Sequence, residues 1–350
     1  MTKQNPLASD LDHVLDHTHD LWDELRGQQI FITGGTGFFG CWLLESFIWA
    51  NERLNLKAHA TVLTRSPEAF QAKAPHLAGN EAVTLVKGDV RTIDFPSDTF
   101  SHIIHAATET NPFNTPLPSN LLFHANLQAT VRMLELSQQC GAKKFLFTSS
   151  GAVYGKQPSE VTHLRENYRG APLTTDGFSA YGESKRASEF LCVATAQTSS
   201  FEAKIARCFA FVGPYLPLSA NFAIGNFIRD ALKGNVIHIL GDGTPYRSYL
   251  YAADLSIWLW TILFRGENGE AYNVGSDSEL NIAQLAEMVN SIVNPKCQII
   301  VAHKPDISHL PDRYVPSIDR ARQELSLDIW IKLNMAIRRT AEWFMERIND

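Results

Sequence analysis

Three features of the 350-residue sequence predict an α/β fold built on a doubly wound parallel sheet, with a smaller mixed α/β portion towards the C-terminus. First, short apolar runs at 30–33, 59–63, 83–86, 102–106, 144–148 and 203–209 alternate with longer periodic segments at 40–52, 120–140 and 183–198. Strands covered by helices on both faces are wholly buried, so they read as continuous apolar runs rather than as an apolar/polar alternation. Second, a glycine-rich stretch from Gly34 to Gly40 sits directly behind the first run. Third, this order loosens after about residue 213 into Gly/Pro-punctuated segments such as "LGDGTPYRSYLY", and ends in a helical tail at 334–348. That half is too irregular for a second doubly wound unit.

Ahead of the first strand, Leu7, Leu11, Val14, Leu15, Leu21, Trp22 and Leu25 recur at helical spacing, which predicts one amphipathic helix over 7–25. It carries His13, His17 and His19, but no carboxylate–histidine motif surrounds them, and no metal site is expected. The composition is that of an ordinary globular chain, 45% hydrophobic and 19% charged. The net charge of −6 argues against broad binding to nucleic acid or an anionic membrane, which needs a basic face. Five scattered cysteines without a C-x-x-C pair read as small buried hydrophobes of a reducing compartment. There is no signal-peptide pattern, and the longest apolar stretch, Leu255 to Phe264, is about half a bilayer span. A cytoplasmic location is the expectation.

The segment "IFITGGTGFFGCWL" (30–43) satisfies both G-x-x-G-x-x-G (34, 37, 40) and G-x-G-x-x-G (35, 37, 40). One glycine makes the tight turn, another lets backbone N–H groups reach a pyrophosphate, and the last lets the following helix press on the strand. The helix N-terminus then favours the anion. A strand before the loop and a helix after it supply the context that makes this a dinucleotide site of Rossmann type. The second strand ends in Thr64 and Arg65, with no carboxylate until Glu68. An acid there would bind a ribose 2′-OH and an Arg accommodates a 2′-phosphate, so NADP(H) is expected, with NAD(H) as the alternative. Asp89, in "VKGDV", is a plausible acceptor for the adenine amino group.

Two segments carry the chemistry. "FLFTSSGAVYG" (145–155) ends a core strand in hydroxyls, at the edge where open α/β sheets bind ligands. "SAYGESKRASEFL" (179–191) opens a helix with Tyr181 and Lys185 four residues apart, on one face. A phenol titrates near pH 10, but a neighbouring ammonium together with an oxidised nicotinamide lowers that value. Tyr181 is then able to exchange the proton of a substrate hydroxyl while hydride moves, with Ser150 bonded to the same oxygen.

With these pieces the chain resembles an extended short-chain dehydrogenase/reductase of the nucleotide-sugar epimerase/dehydratase group. The resemblance runs from about Gln28 nearly to the C-terminus, through "HAA" (105–107), Asn126, "GP" (213–214), "GNFI" (225–228), "GDGTPYRSYLYAADL" (241–255), "YNVGS" (272–276) and "PSIDRARQEL" (316–325). It implies catalytic roles for Ser150, Tyr181 and Lys185. It implies cofactor contacts from Gly34, Thr36, Gly37, Phe38, Phe39, Gly40, Arg65, Asp89, Val90, Ala106 and Ala107, besides Tyr181 and Lys185. Substrate contacts fall to Thr108, Ser150, Asn226 and Arg247, with Arg313 at the nucleotide end. The guanidinium fork suits phosphate oxygens. A nucleotide-diphosphate sugar is the implied partner, and a homodimer through helices 120–140 and 183–198 is the family expectation. The implied division is an N-terminal extension (1–27), a dinucleotide-binding domain (28–210, with 250–276 returning to it) and a substrate-binding subdomain (211–249 and 277–350).

The departures narrow the reaction. Related 4,6-dehydratases carry an Asp-Glu pair where this chain has Gly151 and Ala152, and the sugar-acid decarboxylases keep a Glu at the second position. Without such groups an elimination lacks its acid and base unless Glu109 or Glu166 substitutes. Small residues there match the 4-epimerase and 4-ketoreductase branches, and a preference for NADP suits net reduction. Ala210 stands where relatives usually place a substrate-contacting Asn. Dehydration or UDP-glucuronate decarboxylation with displaced acid/base groups is the alternative within the family. A non-catalytic NADP-binding regulator is the alternative outside it, set against by the presence of both Tyr181 and Lys185.

Overall fold

The computed structural model describes residues 5–110, 117–220, 222–306, 308 and 310–348. Strand β1 (Gln29–Thr33) leads through the glycine loop into α2 (Phe38–Arg53), after a first helix α1 (Ala8–Thr18). The chain continues as β2 (His59–Thr64), α3 (Pro67–Lys73), α4 (Pro75–Ala78), β3 (Val83–Lys87) and β4 (His102–His105). Next come α5 (Ser119–Gln139), β5 (Lys144–Ser150), α6 (Ala180–Ala196) and β6 (Glu202–Cys208). The C-terminal half holds β7 (Phe211–Val212), α7 (Ala223–Leu232), β8 (Ile237–Ile239), β9 (Tyr246–Ser248), β10 (Leu250–Tyr251) and α8 (Ala252–Arg265). It closes with β11 (Ala271–Val274), β12 (Glu279–Asn281), α9 (Ile282–Val293), β13 (Ile299–Val301), β14 (Arg313–Tyr314), α10 (Asp319–Leu325) and α11 (Leu333–Ile348).

Among the described residues one sheet has seven strands in the order β11-β6-β5-β4-β1-β2-β3, every neighbouring pair parallel. All six predicted strands lie in it. The seventh, β11, comes from the C-terminal half and pairs with β6. The chain runs outward from β1 to β3 and then returns to the other side of β1 as β4. That reversal opens a crevice at the C-terminal ends of β1 and β4, the place where open α/β sheets take ligands. The smaller sheets, β12-β9-β14 and β13-β8, belong to the irregular C-terminal half.

The apolar stretch 255–264 lies within α8, whose residues from Ala252 to Phe264 are all buried. A helix hydrophobic all round belongs inside a core. It packs on β5 and β6 on one side and on α1 and α2 on the other. Among the described residues no helix is long and apolar enough to cross a membrane, and the five cysteines are buried and free.

The N-terminal segment departs from the single helix expected over 7–25. The α-helix stops at Thr18, and His19–Leu25 winds as a tighter 3-10 helix. This segment buries Leu21, Trp22 and Leu25, with the Trp22 ring 4.8 Å from Trp260 of α8. His19 is exposed, while the other two histidines of this segment approach other elements. His13 Nε2 lies 3.1 Å from Asp254 Oδ1, and the His17 ring lies 4.3 Å from Trp330.

Candidate active site

The glycine loop follows β1 at the crevice. Gly34 adopts φ +72°, and a Cβ there would lie 2.5 Å from the Ala106 carbonyl carbon and 2.6 Å from the Ala107 nitrogen. Only glycine lets β1 and β4 end this close together. Gly40 plays the third role expected of it, since its Cβ would fall 2.2 Å from Gly35 Cα. It packs the helix on the strand and does not line the cleft. At Gly37 an added Cβ would meet only the Gly34 carbonyl oxygen, at 3.3 Å, so that face is open. The first intrahelical bond of α2 is Cys41 N–H to Gly37 O, which leaves the N–H groups of the first turn for an anion. The donor set and the open glycine face fit the pyrophosphate of a dinucleotide.

A cleft of about 1440 Å³ runs from this loop across the crevice. Thr36, Gly37, Phe38, Phe39, Arg65, Asp89, Val90, Ala106, Ala107 and Thr108 line it, with Ser150, Tyr181, Lys185 and Arg247 farther along. Residues separated by more than two hundred positions thus share one cavity. At the end of the cleft beside β2, Arg65 is largely exposed and donates to Glu109 Oε1 at 2.7 Å. The Asp89 carboxylate is gripped by Arg91 through Nε at 2.8 Å and Nη2 at 2.6 Å. That hydrogen bonding holds its pKa at about 2, so it is an anion with an Arg already seated on it.

At the end of the cleft beside β5 and α6, Lys185 is buried and donates to the Thr148 carbonyl at 2.8 Å. Burial lowers its pKa to about 8. Burial also pushes Tyr181 up to about 12, opposed only in part by the nearby Ser150 hydroxyl. The lowering of Tyr181 expected from Lys185 is therefore absent in the chain alone. The ammonium sits 5.9 Å from the phenol ring, its own charge committed to the strand-end carbonyl. His105, below them, is bonded through Nδ1 to Thr33 Oγ1 at 2.8 Å. Burial and the Lys185 charge drop it to about 3, so it stays neutral and structural.

Two expected substrate residues lie elsewhere. Asn226, one turn into α7, does not line the cleft, and its Oδ1 is taken by Arg229 Nη1 at 2.9 Å. Arg313 is ion-paired with Glu279 and stacked over the Tyr246 ring at 4.3 Å, also outside the lining. Arg247 is different. Among the described residues it forms no ion pair, and its Nη1 donates to the Tyr246 carbonyl.

The Gly151 position has a steric reason. A Cβ there would lie 2.7 Å from Phe209 Cζ and 2.7 Å from the Tyr314 hydroxyl. The room that an acidic side chain would need is filled from two other segments. Both candidate replacement acids already have partners. Glu166 Oε1 accepts from the Asn273 N–H at 2.9 Å and lies outside the lining; Glu109 lines the cleft but is held by Arg65. Phe209, Tyr249 and Tyr314 line the cleft as well; Tyr249 lies within the 241–255 motif, and the other two belong to no motif. Asn126, quoted only as a family mark, accepts from the Glu109 N–H at 2.8 Å and donates to Ser184 Oγ, tying the cleft wall to α6.

A parallel sheet, a glycine loop at its switch point and a Tyr/Lys helix beside a serine strand end define a nucleotide-dependent α/β enzyme class. The chain belongs to the NAD-dependent epimerase/dehydratase family, whose model matches residues 30–275. It is 28% identical over 321 residues to UDP-glucuronic acid decarboxylase 1 of Arabidopsis thaliana, covering 91% of this chain and 70% of that protein. In fold it is similar to UDP-glucose 4-epimerase of Thermotoga maritima, solved with UDP-glucose: TM-score 0.76, 19% identity, 91% and 99% of the two chains. It is also similar to a dTDP-glucose 4,6-dehydratase of Streptomyces venezuelae, solved with NAD and TYD bound: TM-score 0.76, 22% identity, 92% and 98% covered. The family is that of nucleotide-sugar-modifying enzymes using an NAD-type cofactor.

Proposed function

We propose that the chain acts on a nucleotide-diphosphate sugar by reversible hydride transfer at C4, as a 4-epimerase or 4-ketoreductase. The observation that carries this reading is the reacting end of the cleft. Ser150, Tyr181 and Lys185 meet there; of the two positions at which dehydratases carry acids, the first is Gly151, with Phe209 and Tyr314 against it, and the second is Ala152, a methyl on the cleft wall. A bound nicotinamide would supply the hydride acceptor and donor. The chain's own part is proton handling. The Ser150 hydroxyl holds the sugar oxygen, and the Tyr181 phenol gives or takes its proton. The Lys185 ammonium fixes the strand end through Thr148 and adds positive charge near the phenol. Arg247, free of any ion pair among the described residues, suits the substrate diphosphate.

Arg65 supports NADP(H) as the cofactor, with NAD(H) as the alternative. Incubation with UDP-, dTDP-, CDP- and GDP-sugars, with product analysis and mass spectrometry of the co-purifying cofactor, tests the reading. Tightly held oxidised cofactor with an isomerised sugar indicates an epimerase, and stoichiometric NADPH consumption a ketoreductase. Absence of any turnover would leave the NADP-binding regulator.

The 28% identity to a UDP-glucuronic acid decarboxylase favours a second reading. Oxidation of a hexuronate at C4 gives a β-keto acid that loses CO2 from C6 and takes a proton at C5, so no elimination base is required. Conversion of UDP-glucuronate to a pentose product with CO2 release would establish it over the first.

A further inference from the structure

The second strand ends in Thr64 and Arg65, without the carboxylate that commonly binds a ribose 2′-OH at this place. The fold brings one in from a different strand end. β4 lies on the other side of β1 from β2, and shortly beyond it the chain sets Glu109 Oε1 2.7 Å from Arg65 Nη1. A side chain buried on α5 fixes that placement. Asn126 Oδ1 accepts from Glu109 N–H at 2.8 Å, and Asn126 Nδ2 donates to Glu109 O at 3.1 Å. The carboxylate is therefore presented from a backbone held on both sides.

The second guanidinium of this region, Arg91, is also engaged, donating to both oxygens of Asp89. Arg65, Arg91, Asp89 and Glu109 all line the cleft, two cations matched by two anions. A 2′-phosphate, which carries about two negative charges at neutral pH, meets no net positive charge here. It gains Arg65 only by displacing Glu109. A ribose 2′-OH needs no such exchange, because a hydroxyl donates to a carboxylate and accepts from a guanidinium at once.

We propose that Glu109 is a cofactor-selectivity residue: its carboxylate takes the ribose 2′-OH of NAD(H) and competes with the 2′-phosphate of NADP(H) for Arg65. Cofactor preference then follows from the pair and not from Arg65 alone. This rests on the reading of Arg65 as the ribose-side residue of the dinucleotide site.

The test is equilibrium dialysis of the full-length chain against a saturating equal mixture of NADP+ and NAD+, with the bound ratio read by mass spectrometry. Glu109→Gln removes the charge and keeps both backbone bonds to Asn126. It should raise the bound NADP:NAD ratio about tenfold over wild type, the weight of one charge-assisted hydrogen bond. Glu109→Ala should move the ratio the same way and provides a second variant should the first fold poorly. Arg65→Ala, run in parallel, should lower it. An unchanged or lowered ratio in Glu109→Gln, with the ratio of Arg65→Ala lowered, would overturn the role of Glu109 and leave that of Arg65 standing. If Arg65→Ala also left the ratio unchanged, the ribose would lie elsewhere and both roles would fall. If the wild type bound neither cofactor, the dinucleotide site itself would fall, and this proposal with it.

Discussion

Replacing Lys185 by Met should separate stability from activity. The buried ammonium is depressed from the ordinary 10.5 to about 8, and at about 1.4 kcal/mol per unit this is a burial cost of about 3 kcal/mol. Its hydrogen bond to the Thr148 carbonyl returns about 1.5–3 kcal/mol, the usual range for a charged donor. The substitution is therefore expected to leave stability at pH 7 within about 1–2 kcal/mol of wild type, although it empties a site central to the proposed chemistry. The pH dependence isolates the group. Its folded pKa lies below its unfolded one, so between about pH 8 and 10.5 the unfolded chain retains a proton that the folded chain has released. Wild-type stability should rise across that window and stay flat with respect to this group below it. Equilibrium urea denaturation at several pH values measures the difference. Wild type should gain about 3 kcal/mol on Lys185→Met across the window. Parallel pH profiles for the two proteins would refute the claim that a buried, destabilised ammonium sits behind Tyr181.

Gly40→Ala should cost about 2–3 kcal/mol by urea denaturation and abolish cofactor binding, since its Cβ would fall 2.2 Å from Gly35 Cα; a cofactor affinity like wild type would contradict the tight helix–strand contact. Arg65→Ala should weaken NADPH more than NADH in fluorescence titrations, and equal losses would remove the basis for an NADP preference. Arg247→Ala should weaken nucleoside diphosphate binding by about tenfold to a hundredfold, the range for charge-assisted hydrogen bonds. Unchanged affinity would move the diphosphate elsewhere in the cleft.

What the sequence made legible is what depends on local spacing. The glycine loop, the Tyr181–Lys185 pair and the six strand runs each lie within a few consecutive turns, so period and spacing reveal them. Residues whose role depends on distant partners stayed hidden. Asn226 and Arg313 have the right chemistry, but Arg229 and Glu279 claim them, and no local pattern shows that competition. Tyr314 sits on a two-residue strand with no periodicity to read, and its pairing with β9 accompanies its place in the cleft wall beside Gly151. The N-terminal segment was legible as amphipathic, but its change of winding at Thr18, in a segment packed on α8, has no local pattern to show it. The small residues at 151 and 152 were visible at once; the reason for Gly151 became visible only with Phe209 and Tyr314 against it.

The central claim is that the Tyr181 phenol moves the sugar proton while the cleft holds cofactor and nucleotide sugar together. Its most direct test is turnover of the active nucleotide sugar by wild type and Tyr181→Phe, with cofactor affinity measured on the same samples. The account predicts a loss of about a hundredfold or more in turnover with cofactor binding retained. Wild-type rates in Tyr181→Phe would contradict it.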